Sequence, residues 1–250
     1  MLLPFISEKF NGAIWRMEID NLSPTVFVEI RNSEKKEVSF SSVSLLNDKL
    51  NFKDITTPER WLTGIEAAYN GVLLLHNYLS ENSPVHKGLT AIDAVNSEIL
   101  WSNYTYAFNH LSANGAVLYN VQIQPKKLFL ADIKTGMPNG AYLPEVDTEL
   151  INDIITPRIL PISFLDQLIE IKPHGNSLHY LEYNNFRIVS LHSFEAGQLK
   201  QHLYIMNGLQ IVYEDIMNSD IQKVQPEAFI LHKNWLIYIK NKSELKVISL

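Results

Sequence analysis

Eight histidines and twenty-seven carboxylates are the main groups in this 250-residue chain able to ligate a metal or move a proton. His174 and His179 stand five apart across Gly175-Asn176, while His76, His86, His110, His192, His202 and His232 are scattered. Metal-binding histidines usually come as a tight local pair, with one or three residues between them. No such pair exists, so the histidines read as surface or core side chains and no metal is expected. Glu145, Asp147 and Glu149 alternate along one stretch, Asp153 follows, and Glu214-Asp215 ends a strand-like run. Two carboxylates facing each other across a cleft would serve glycoside hydrolysis. A solvated acidic loop is the plainer reading of the 145–149 stretch.

Other chemistries are excluded more firmly. The chain has no cysteine, so disulfides, thiolate metal sites and cysteine nucleophiles are ruled out. It has no Gly-x-Ser-x-Gly elbow, phosphate loop or dinucleotide fingerprint, and only ten glycines. No cofactor is expected. The net charge is −6 and the densest basic cluster is Lys35-Lys36. A nucleic-acid surface needs a basic stripe to displace counterions, so no nucleic acid is expected. The N-terminus lacks a basic region before its short, proline-broken apolar run, and no stretch approaches the ~18 apolar residues of a membrane span. The expectation is a cytoplasmic protein with no membrane span.

The elements that must position any site read as strands. Apolar residues make up 46% of the chain, charged residues 19% and aromatics 10%, enough for a full core and biased toward sheet. Strand-like runs are Thr25–Ile30, Val72–Leu75, Leu89–Ile92, Ala116–Val121, Leu128–Ile133, Phe186–Leu191, Gln210–Tyr213, Trp235–Ile239 and Leu245–Leu250. Several are apolar at successive positions, as in Val72-Leu73-Leu74-Leu75, which marks burial on both faces. Turn-then-aromatic units recur at Asn47, Asn96 and Asn207, with Thr135-Gly136 between. The first intervals are about the ~40–50 residues of a four-stranded blade. Asn11-Gly12 begins another such unit, running on to Trp15.

The predicted fold is therefore all-β: a small β-propeller of about five four-stranded blades, with six as the alternative, in a single domain over residues 1–250. The strand at Ala13–Ile19 is expected to complete the blade formed by Trp235–Leu250, so that pairing of the N- and C-terminal strands closes the ring. The strand rhythm stops over Pro144–Gly175, read as a non-blade insertion with a short helix at Ser163–Ile171. Ten of its apolar residues, Ile151, Ile154, Ile155, Ile159, Leu160, Phe164, Leu165, Leu168, Ile169 and Ile171, must either cap the core or dock a partner.

Ala91-Ile92-Asp93-Ala94-Val95-Asn96-Ser97-Glu98-Ile99-Leu100-Trp101 resembles the repeat of PQQ-like, quinoprotein-type propellers, with Asn96-Ser97 in place of Thr-Gly. Ala131-Asp132-Ile133-Lys134-Thr135-Gly136 is a second copy without the tryptophan. The chain also resembles an uncharacterised bacterial family defined only as a domain of unknown function. The resemblance implies blades, not an activity, because such blades serve enzymes and scaffolds alike. Trp15 and Trp101 hold equivalent repeat positions, so packing between blades is expected of them.

Function is read from loop placement. Ser80–Lys87 reads as a loop between middle strands, Met137–Gly175 as a junction between blades, and Thr56–Arg60 as another junction on the same face. Loops carry function more often than the elements they join. A ligand or partner face is expected near Glu59, Arg60, His86, Asp147 and Arg158. The expected function is a non-catalytic scaffold or binding module for a protein or peptide. The alternative is an enzyme acting on a small or sugar-like ligand with Glu/Asp and His. Carboxylates with raised pKa values at a concave mouth would favour the enzyme.

Overall fold

A computed structural model describes residues 1–165 and 167–250, which form twenty-two strands and no α-helix. After β1 (Ile6–Lys9) the chain makes three four-stranded antiparallel meanders in succession. The first is β2 (Ala13–Asp20), β3 (Thr25–Asn32), β4 (Glu37–Ser44) and β5 (Leu50–Thr56). The second is β6 (Thr63–Tyr69), β7 (Val72–Ser80), β8 (Ser83–Asp93) and β9 (Ile99–Asn103). The third is β10 (Tyr106–Ser112), β11 (Gly115–Asn120), β12 (Leu128–Ala131) and β13 (Pro138–Ala141). Then come β14 (Ile154–Ile155), β15 (Arg158–Pro161), β16 (Ser177–Tyr183), β17 (Phe186–Glu195), β18 (Gln198–Asn207) and β19 (Gln210–Asn218). The chain ends with β20 (Phe229–His232), β21 (Trp235–Lys240) and β22 (Glu244–Ser249). Strands β15 to β19 make a five-stranded sheet, and a second has the order β1-β22-β21-β20-β14.

All nine strand-like runs fall on strands, and the antiparallel four- and five-stranded sheets are consistent with a propeller-like, all-β fold. The chain divides into two compact units, Phe10–Asn152 with the three meanders and Met1–Lys9 plus Asp153–Leu250 with the two five-stranded sheets.

Continuous apolar strands arise because inner strands have a sheet on each side. Along β7, Leu73 and Leu75 pack with Phe27 and Phe40 of the first meander. Val72 and Leu74, pointing the other way, pack with Ala116 and Leu118 of the third. The period-2 alternation of a strand thus serves two cores at once. The same division holds along β17. Ile188 joins the core of the last sheet. Val189 and Leu191 face a cluster containing Leu160, Ile162, Leu165 and Ile169.

Several expectations are corrected. Ala13–Ile19 does not pair with the C-terminal strands: β2 pairs with β3, and β1 pairs with β22 from Ile6↔Val247 to Lys9↔Glu244. Asn11-Gly12 is the step from one sheet to the next, not a hairpin turn. Pro144–Gly175 is not free of strands, since β14 pairs with β20 and β15 with β16. The expected helix at Ser163–Ile171 is one 3-10 turn, Ile162–Phe164, after which Leu165 is extended; Asp166 lies outside the described residues. Of the segment's ten apolar residues, Ile169 is buried and Leu160, Leu165, Leu168 and Ile171 pack partly on its cluster, whereas Ile151, Ile155, Ile159 and Phe164 are exposed. Finally, Ser80–Lys87 is strand rather than loop, because the turn is only Glu81-Asn82. Pro84 is tolerated where the pairing skips from Ser83 to His86.

The repeat-like turns work through their aspartates. Asp93 Oδ1 accepts the backbone N–H groups of Val95 and Asn96, and Asp132 Oδ1 accepts those of Lys134 and Thr135. Trp101 donates from Nε1 to the Ile133 carbonyl (2.8 Å), so it does pack between sheets. Trp15 does not: it is 68% exposed.

Candidate functional site

Two irregularities in the second meander gather the side chains with the most chemical potential. In β6, Ile65 pairs with Leu75 and Ala67 with Leu74, so Glu66 is the extra residue of a bulge. In β8, Leu89 pairs with His76 and Lys87 with Asn77, so Gly88 is the extra residue of another. Bulges re-aim side chains and recur beside functional sites. The second one reverses the parity of β8, so that His86, opposite Tyr78, faces the same side as His76. Gly88 permits this with φ +74°, where a Cβ would stand 2.9 Å from Tyr104 Cα.

The result is a compact cluster. His86 Nδ1 is hydrogen bonded to Glu66 Oε2 at 2.9 Å, and His76 Nδ1 stands 3.0 Å from the same oxygen. The His76 contact is electrostatic, because its Nδ1 is out of line for a hydrogen bond; Nε2 also has no partner. The two imidazoles stack 3.6 Å apart and 4° from parallel, and Tyr78 meets both edge-on. His76 is 2% exposed, Glu66 12% and His86 35%, so the cluster opens through His86. Burial pushes the Glu66 carboxyl up, but the two imidazoles outweigh it and hold it below the usual carboxylate value.

Behind His76 the strands come very close. A Cβ on Gly64 would lie 3.0 Å from the His76 ring and 3.4 Å from Glu29 Oε2. Glu29 is buried and accepts from Arg31 Nε (2.7 Å) and from the Ile65 backbone N–H (2.9 Å). The Arg31 guanidinium in turn lies 5.4 Å from the Trp15 ring and 5.0 Å from the Trp61 ring, within cation–π range of both. Trp15 is the extra residue of a bulge in β2, between Ile14 and Arg16. Nearby, Thr57, Thr63 and Asn77 form a hydrogen-bonded chain. They line a recess of about 90 Å³ with Pro58, Glu59 and Tyr104. Pockets for drug-sized ligands run to ~300–1,000 Å³, so this recess suits a few waters or one side chain.

The five sequence-predicted residues scatter. Glu59 lines the recess, Arg60 is exposed beside it at φ +43°, and His86 joins the cluster. Asp147 is not a free acid. Its carboxylate accepts from the Leu143 N–H and from Asn114 Nδ2, both at 2.9 Å, and these bonds hold its pKa down. The Asp147 carboxylate closes its own loop, while Glu145 and Glu149 are exposed. Arg158 is exposed on β15, in the other unit. Glu66, His76, Arg31 and Trp15 were missed. For the first of these the sequence signal is the turn at Asn70-Gly71, which folds Glu66 back to the level of Leu74 and Leu75.

In the unit of five-stranded sheets the acids and most buried polar groups are already engaged, although His232, fully buried, has no hydrogen-bond partner at either ring nitrogen. Asp215 accepts from the Tyr238 hydroxyl and from Lys240, and Tyr238 also meets the Tyr213 hydroxyl. His192, 3% exposed, accepts the Gln225 N–H at Nε2 (3.0 Å), which fixes it as neutral. Burial first, then neighbouring His179, His174 and His202, push its pKa from 6.5 down to about 4. Because the folded value is the lower one, the unfolded chain binds the proton more readily. The stabilisation is complete above about pH 6.5 and is lost as pH falls toward 4, amounting to at most about 3 kcal/mol. Urea-unfolding midpoints should therefore drop between pH 7 and 4.5, and His192→Gln should flatten that drop. A midpoint equally steep in the variant would assign the acid sensitivity elsewhere.

A family model, a domain of unknown function (DUF4905), matches residues 19–101, the segment that carries Glu29, Glu66, His76 and His86. No curated protein matches the chain. Among solved structures, the chain is similar to one of BBS1N in complex with ARL6DN, at 10% identity and a TM-score of 0.26. The match covers 94% of this chain and 64% of the other, so the chain spans less than two thirds of that relative's length. At that score nothing is carried over from it. Among the described residues, no helix is long and apolar enough to cross a membrane.

Proposed function

We propose that this chain is a non-catalytic binding module of propeller-like build, which takes a protein or peptide at the Thr57–Thr63 end of the three-meander unit. The observation that carries the reading is Trp15. A tryptophan 68% exposed on a bulge, with its ring against a nearly buried arginine, is ready to contribute binding energy without ordering cost. Tryptophan and arginine dominate interface hot spots. Glu59, Arg60 and His86 belong to the same reading as its rim. Two findings weigh against the enzyme alternative. The recess is small, and the carboxyls whose pKa values move, Glu66, Asp147 and Glu244, all move down rather than up.

The finer architecture belongs to this reading too. Five sheets and the β1–β22 pairing support a five-bladed ring closed through the chain ends. The Asp93 and Asp132 turns and the Trp101 dock support quinoprotein-type blades. Binding is tested by affinity capture on the purified chain beside Trp15→Ala. Trp15→Ala should melt within about 0.5 kcal/mol of the parent, as surface substitutions do. It should lose a captured partner by roughly 30-fold, the scale of a 2 kcal/mol hot spot. Identical partner recovery by both chains counts against this face.

A further inference from the structure

We propose that Glu66, His76 and His86 form a three-ligand site for a borderline divalent transition-metal ion of the Zn²⁺ class. The inference goes beyond the binding-module reading and does not depend on it. One carboxylate oxygen and one nitrogen from each imidazole lie within 4.8 Å of one another. The two nitrogen–oxygen separations are 3.0 and 2.9 Å. Two ligands bonded to one ion at ~2.1 Å stand roughly 3.0–3.4 Å apart, so these pairs lie at or just under the short end of that range and need open by only a few tenths of an ångström. The donor set of imidazole and carboxylate suits Zn²⁺, Ni²⁺ or Cu²⁺ rather than Mg²⁺ or Ca²⁺, which prefer oxygen ligands alone.

A second observation points to a ligand independently. His76 is 2% exposed; its Nδ1 has only the off-line Glu66 oxygen at 3.0 Å and its Nε2 has no hydrogen-bond partner, a state that buried His232 of the other unit shares without any ligating neighbours among the described residues. Buried polar atoms are ordinarily satisfied, so such an imidazole needs an explanation. A metal bond from Nδ1 supplies one for that nitrogen. Two imidazoles stacked in parallel and sharing one oxygen are also a poor hydrogen-bond arrangement, since both point the same edge at one acceptor. An ion placed between them and Glu66 turns that crowding into coordination. An ion between parallel rings 3.6 Å apart would lie out of both ring planes, so the rings must turn by tens of degrees to aim their Nδ1 lone pairs at it, and half-open His86 is the ring with room to turn. Three protein ligands with one open side leave a fourth position for water or a partner's side chain.

The test uses the full chain, stripped with chelator and titrated with ZnCl₂ by calorimetry, beside His86→Ala, Glu66→Gln and the distant control His174→Ala. The parent should take up one equivalent of Zn²⁺. Because removing a direct ligand should exceed the ~10–100-fold cost of altering a ligand's own hydrogen-bond partner, His86→Ala and Glu66→Gln should each weaken binding at least about a hundredfold. His174→Ala should bind like the parent. No uptake by the parent below about 100 μM, or a parent-like affinity in His86→Ala, overturns the site. Imidazole ¹⁵N spectra of the parent settle it without substitution. Zn²⁺ should shift the Nδ1 signals of two histidines, one of them the buried His76. Shifts confined to exposed histidines would show surface adsorption and overturn the proposal.

Discussion

Glu29→Ala should destabilise the chain by about 3–5 kcal/mol, the usual cost of breaking a buried ion pair by removing one partner. The size follows from what Glu29 holds. It is 2% exposed and accepts at both oxygens, from Arg31 Nε and from the Ile65 N–H. Ile65 is fully buried, so its N–H loses its acceptor in a site closed to bulk solvent. Arg31 would keep its two tryptophan contacts and its weak bond to the Thr63 carbonyl (3.4 Å) but lose its counter-charge. Glu29→Gln keeps a neutral acceptor and should lose less. Urea unfolding of the two variants beside the parent checks the order. A loss under about 1 kcal/mol in Glu29→Ala would mean that the cation–π contacts, not the ion pair, hold Arg31. The same substitution should loosen Trp15, so binding at that face should fall with stability.

Deleting Met1–Lys9 should give insoluble protein or a chain without a cooperative melt. β1 contributes four residues paired to β22, and its flanks add backbone bonds from Phe5 to Val247 and from Leu2 to Val212, both at 2.7 Å. Ile6, 4% exposed, is worth ~1.5–3 kcal/mol by burial alone. Its removal also bares the edge of β22, a row of unpaired N–H and C=O groups open to pairing with another chain. Light scattering and thermal melting of the truncated chain measure both effects. A soluble truncation melting within about 1 kcal/mol of the parent would show that the last sheet is self-sufficient with four strands.

The sequence by itself determined that this protein is all-β and where its inner strands run. Those strands are long apolar runs with flanks rich in turn residues, and burial between two sheets demands that composition, as Val72–Leu75 shows. It also determined the turns at Asp93 and Asp132, since an aspartate that accepts the next N–H groups works through local geometry alone. Short edge strands were illegible. Ile6–Lys9, Ile154–Ile155 and Arg158–Pro161 pair on one side only, so they need no apolar signature.

The site was legible only in outline. Loop reasoning placed attention on His86 and Glu59, but Asp147 proved to be taken up by its own loop. Glu66, His76 and His86 are ten residues apart in turn, a spacing with no meaning along a single strand. Antiparallel pairing folds such residues back onto neighbouring strands, and then one unpaired residue decides which face each side chain takes. The bulges at Glu66 and Gly88 make that choice. A bulge follows from how three strands and their neighbours pack at once, so tertiary structure alone brought two imidazoles and a carboxylate to one place.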